Sequence, residues 1–190
     1  MQSNRMKRYF FLMIVPLLLA LWIMQCTQKS EYQLRVEREL ASGVRADSLF
    51  LGYHFGMSKK AFMDHSWQLN KEGVIAGYAT IGHTFTELPH PALMEFFPEF
   101  DENGIVRMPV TMEYRGWAPW NDHLSPEVLI KDLVQLYESK YGERFDVMPN
   151  GTTGDSVYVS IRGNRLIRVY KESVSEVMLE FSDLSTEAGS

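Results

Sequence analysis

The chain has 190 residues, enough for one domain or two small ones. Its 45% apolar and 23% charged composition excludes wholesale disorder and any collagen-like body, and one cysteine excludes an intramolecular disulfide framework or a cysteine-rich zinc site. Nineteen basic against 24 acidic residues give −5, and the basic Arg5, Lys7 and Arg8 have no acid beside them in residues 1–25. The remainder therefore holds 16 basic against 24 acidic residues, a net of −8. That balance argues against a nucleic-acid partner.

Residues 1–25 read as a leader. Three basic residues precede an uncharged run from Tyr9 to Met24, and Pro16 interrupts it. The run is short for a membrane span of about 20 residues and slightly long for a secretory core of ~7–15. A basic flank stays cytoplasmic, so the rest of the chain faces outward. Cys26 follows directly. The order basic start, apolar stretch, Ile23-Met24-Gln25-Cys26 resembles a bacterial lipoprotein leader. That resemblance implies cleavage before Cys26 and acylation of its thiol, which makes Cys26 the lipidation residue. Gln25 departs from the small residue usual at that place. An uncleaved signal-anchor is the alternative. Either way the membrane is a partner, and the domain belongs in the bacterial cell envelope, outside the cytoplasm.

Residues 26–48 form a charged spacer. Leu34, Val36 and Leu40 lie on a narrow stripe, so residues 30–41 read as a short helix or as a solvated stalk. Ser58 then caps a helix running to Glu72, which Gly73 closes. Phe62, Ser66 and Leu69 mark one face, and Met63 and Trp67 an adjacent one. Strand-like segments follow at 76–86 and 92–100, with a turn at Asp101-Glu102-Asn103-Gly104. Residues 105–115 alternate. Val106, Met108, Val110, Met112 and Tyr114 point one way; Arg107, Thr111, Glu113 and Arg115 point the other. A second helix starts at Ser125-Pro126-Glu127 and ends at Gly142. Strands at 156–162, 165–170 and 176–182 complete a meander, with Gly163-Asn164 a two-residue hairpin turn. Residues 183–190 read as a disordered tail.

The fold class is therefore α+β: an antiparallel sheet with two helices packed on one face, preceded by the hydrophobic leader helix. Residues 49–182 form the folded domain. It reads either as tandem α-β-β-β units, 49–116 and 117–182, or as one α+β domain. The entry Leu51-Gly52-Tyr53-His54-Phe55-Gly56-Met57-Ser58 resembles the Gly-Met-[Ser/Thr] helix entry of outer-membrane-assembly lipoproteins of the SmpA/OmlA type. Those proteins share small helix-plus-meander units with β-lactamase-inhibitor-protein-like modules. The segments FGMSKKAF and LNKEG are also similar to uncharacterised exported bacterial lipoproteins. The helix-plus-meander likeness implies a periplasmic inhibitor or assembly factor as one function.

The residues spell no catalytic motif. His54, His65, His83, His90 and His123 form no His-x-His, His-x-x-x-His or HExxH, leaving only a through-space pairing of His83 with His90. No cofactor and no metal are expected. The unusual cluster is Tyr114, Arg115, Trp117 and Trp120. Trp, Tyr and Arg dominate interface hot spots, so these four are the candidate ligand-binding residues. The competing reading has Trp117 and Trp120 plugging the open end of the core, which large aromatics more often do. The expected function is a membrane-tethered envelope binding or scaffold module with a protein partner. An envelope hydrolase with a dispersed site is the alternative.

Overall fold

A computed structural model describes residues 29–77, 80–149 and 154–187. The chain divides into Met1–Leu34 and Arg35–Ser190. Of the first part only residues 29–34 are described, so the leader and Cys26 lie outside the described residues. Among the described residues no helix is long and apolar enough to cross a membrane.

Among the described residues four helices and eight strands follow one another: α1 Glu31–Ala41, α2 Lys59–Lys71, β1 Ile81–Phe85, β2 Ala92–Phe96, β3 Glu99–Asp101, β4 Gly104–Tyr114, α3 Pro126–Tyr141, β5 Asp146–Pro149, β6 Ser156–Arg162, β7 Arg165–Lys171, β8 Val177–Asp183 and α4 Leu184–Glu187. The strands form one antiparallel sheet in the order β1-β2-β4-β8-β7-β6-β5, with β3 also on β4. The long strands β4 and β8 pair at its centre, where Val110 faces Leu179 and Met108 faces Phe181. The fold is α+β, as the alternating runs predict.

The helices start where local chemistry directs. Ser58 is extended, and its hydroxyl accepts the Ala61 N–H at 3.2 Å, opening α2. Ser125 is also extended at the head of α3, with Pro126 at the first helical position, but its side chain makes no capping bond. Gly142, at φ +65, closes that helix. α2 buries Phe62 and Ser66, and α3 buries Leu129, Ile130 and Leu133. Both cover the same sheet face, the one carrying Met94, Phe96, Met108, Val110, Met112, Leu179 and Phe181. Between them the entry segment delivers Tyr53, Phe55 and Met57 into the core. The Tyr53 ring meets Phe62 at 5.2 Å and Phe96 at 5.4 Å, so one core spans both helix-plus-meander stretches.

Several boundaries differ from expectation, each for a local reason. The strand expected at 76–86 begins at Ile81, because the chain doubles back and Ala76 bridges Gly82. The strand expected at 92–100 splits at Pro98, which has no N–H to donate. Its two halves, β2 and β3, pair the same edge of β4. The β3–β4 turn is the expected Asp101–Gly104, with Glu102-Asn103 at its centre, and the Asn103 N–H donates to Asp101 Oδ1 at 2.7 Å. Residues 35–47, assigned to the spacer, are tied to the folded body. Arg35 pairs with Asp146, the Gly163 N–H donates to Glu39 at 2.9 Å, and Arg45 pairs with Asp183. The stretch after 182 is not loose up to Glu187. Asp183 accepts the Ser185 N–H at 2.9 Å, starting α4, and Leu184 is buried.

On the sheet face opposite the two long helices, Glu180 is 1% exposed and is held by Arg107 and Arg168 from the two neighbouring strands. Glu99 pairs with Arg107 in turn. A second buried acid, Glu143, takes Arg165 and the Ser160 hydroxyl. Both carboxylates are thus partnered, as buried charges must be.

Candidate binding surface

The aromatic cluster sits where β4 hands over to α3. Alternation along β4 sends Tyr114 inward, where it is fully buried. Its hydroxyl donates to Asp132 Oδ2 on α3 at 2.6 Å, and the His90 ring meets it edge-on at 5.7 Å. Burial, first, and the Asp132 carboxylate, second, push the Tyr114 hydroxyl well above its ordinary pKa. Tyr114 is therefore a support and not a contact residue.

Beyond Tyr114 the loop turns outward at Gly116, whose φ of +86 favours glycine. Its backbone is held at three points. The Arg115 N–H donates to Pro91 O at 2.9 Å, Trp117 N–H to Tyr114 O at 3.1 Å, and Asn121 N–H to Ala118 O at 2.8 Å. A 3-10 turn at Asp122–Leu124 then leads into α3. Arg115 is exposed, Trp117 is half-buried, and Trp120 is 85% exposed. The expectation that both tryptophans plug the core fails for Trp120, and neither is among the core residues. Tyr114 fills that end of the core, with Leu124 packed against it. Leaving an indole of this size in water forgoes roughly 3–5 kcal/mol of apolar burial.

The histidines do structural work. His54 Nδ1 donates to Phe55 O at 2.8 Å, His65 Nε2 to Leu51 O at 2.7 Å, and His83 Nδ1 to Val74 O at 2.7 Å. The expected alternative of His83 with His90 forms no metal centre. Among the described residues no group of three or more His, Cys, Asp or Glu side chains could hold a metal ion. A cleft of about 440 Å³ is lined by Arg45, Asp101, Glu102, Asn103, Asp183 and Ser185 among others, with no histidine. Arg45 spans it by pairing with Asp47 at 2.7 Å and Asp183 at 3.5 Å. A smaller cavity of about 90 Å³ lies under α3, lined by Met94, Met112, Leu133 and Leu179 together with His83 and Glu87.

Sequence reasoning missed a second exposed pair. Met63 and Trp67 on α2 are 55% and 63% exposed, and Lys71 Nζ sits 4.4 Å from the centre of the Trp67 ring. Their spacing separated them from the buried Phe62 and Ser66 face, which was the available signal. Phe97, in the break between β2 and β3, is 44% exposed.

Buried and half-buried tyrosines give the fold an alkaline limit. Desolvation raises the hydroxyl pKa of Tyr53, Tyr114, Tyr137 and Tyr170 above the ordinary tyrosine value. A folded pKa above the unfolded one means this contribution is complete below about pH 10 and is lost as pH rises through the folded values. The melting temperature should fall steeply above about pH 10. Tyrosinate absorbance should show part of the nine tyrosines titrating only as the chain unfolds. One common, ordinary midpoint for all of them would contradict this packing.

No protein-family model matches the chain, and no curated protein or solved structure does either.

Proposed function

We propose that this chain is a membrane-tethered binding or scaffold module of the bacterial cell envelope, and that the loop bearing Arg115, Trp117 and Trp120 is its contact surface. The observation that carries this reading is Trp120, 85% exposed on a loop pinned by backbone hydrogen bonds. A flexible tail holds an exposed tryptophan at little cost, whereas an ordered loop presents it in a fixed place. Tryptophan and arginine presented together are the residues that concentrate binding energy at interfaces. The leader supports the address: its basic flank and apolar run would fix the acidic body outside the cytoplasm, and acylation at Cys26 would make that attachment stable.

The test is a cross-linked capture from membranes of the source cell, with wild type, Trp117→Ala and Trp120→Ala compared at equal amounts. Wild type should retain a discrete partner, and Trp120→Ala should lose at least about tenfold of it, the loss expected when a contact tryptophan is truncated. Equal capture by wild type and Trp120→Ala would show that this loop is not the contact surface.

A further inference from the structure

The outward side of α2 carries a stripe at helical spacing: Lys59, Met63, Trp67 and Lys71, four residues apart each time. The opposite side is anchored in the core by Phe62 and by Ser66, whose hydroxyl lies 2.8 Å from the Tyr53 hydroxyl. The stripe's direction is therefore set by the fold. Met63 and Trp67 are more than half exposed between lysines at both ends, and Lys60 stands beside them, paired with Asp64. Three lysines against Asp64 give α2 a charge of +2 in a chain whose net charge is −5.

We infer that this stripe rests on an anionic lipid surface and seats the folded body against the membrane. The inference rests on the membrane-tethered reading above. Its chemistry is that of an interfacial helix. Indole and thioether groups sit at the depth of the lipid headgroups, and lysines reach the phosphates while their methylenes cover apolar surface. The sign of the charge fits an anionic surface. Two apolar side chains also fall well short of the ~800 Å² per partner that a stable protein interface buries. A weak contact suffices here, because a tether holds the stripe at an effective concentration of about millimolar.

The full chain is mixed with vesicles of phosphatidylcholine alone, or of phosphatidylcholine with phosphatidylglycerol, and floated. Floated protein is then treated with an amine-acylating reagent, and each lysine is read by mass spectrometry. Lys131, exposed on α3, is the internal control. Labelling of Lys59 and Lys71 should drop by about fivefold in the anionic vesicles relative to the neutral ones, with Lys131 unchanged. The exposed-site variant Trp67→Glu should restore it. Flotation in both vesicles with equal labelling would overturn the inference and leave the tether standing. So would equal protection in both, because charge would then play no part. Flotation only with anionic vesicles, with protection that Trp67→Glu removes, would support the stripe and count against the tether. Flotation with neither would overturn both.

Discussion

Val110→Asp should leave the protein without a cooperative melting transition. Val110 is fully buried at the centre of the sheet, facing Phe96 on β2 and Leu179 on β8. No basic group lies on that face of β4 to meet a new carboxylate, since Arg107 belongs to the opposite one. An unpaired charge there costs several kcal/mol even after it takes up a proton, against a total stability of about 5–15 kcal/mol. Thermal scans followed by near-ultraviolet circular dichroism check this. A variant melting within a few degrees of wild type would mean that β4 does not lie at the core.

Gly104→Ala is expected to be strongly destabilising. Gly104 opens β4 at φ +118, a conformation that side chains rarely adopt. A methyl group there would sit 2.5 Å from Gly56 C, 2.6 Å from Gly56 O and 2.8 Å from Met57 O. These are backbone atoms, and no rotamer change relieves them. The same two segments are joined by Gly56 N–H to Ile105 O at 2.9 Å and Ile105 N–H to Met57 O at 3.0 Å. The added carbon must part the entry of α2 from the start of β4. The expected loss is about 3 kcal/mol or more, a fall of roughly 6–12 °C in a chain of this size. An unchanged melting temperature would contradict the close approach of these two segments.

What was legible in the sequence follows from which features are periodic. The 105–115 alternation is long, and of its inward residues Met108, Val110, Met112 and Tyr114 are buried, so the central strand was readable; Val106, placed in the same series, is only half-buried, and its neighbour Ile105 is buried instead. Both long helices were readable from a serine at one end and a glycine at the other. β5 was not, because its four residues are nearly all exposed and leave no burial pattern. The helix at Leu184–Glu187 was not, because one buried leucine after Asp183 is too short a signal. The tail reads as disordered because it is polar, and the spacer as either a short helix or a solvated stalk. Their polar groups in fact make the attachments, through Arg45 with Asp183 and Glu39 with the Gly163 N–H. Long-range pairing of this kind leaves no local trace.

The candidate surface was half legible. The cluster from Tyr114 to Trp120 stands out by composition, but composition does not say which ring faces in. The period of two decides it for Tyr114, which continues the inward series. Past Gly116 the period stops, and the direction of Trp117 and Trp120 depends on turns that no sequence pattern marked. The α2 stripe was visible as a face distinct from Phe62 and Ser66. Its exposure follows from how α2 is rolled onto Tyr53 and Phe96, a property of the packed core.

The most direct test of the account is the melting temperature of Trp120→Ala. If Trp120 is a presented contact residue, its removal should alter stability by no more than about 0.5 kcal/mol, the range of surface substitutions, and move the midpoint by about 2 °C at most. If the ring is packed into the fold, truncation should cost about 3–5 kcal/mol and lower the midpoint by many degrees. A midpoint close to wild type is the result predicted here, and a drop of that larger size would contradict it.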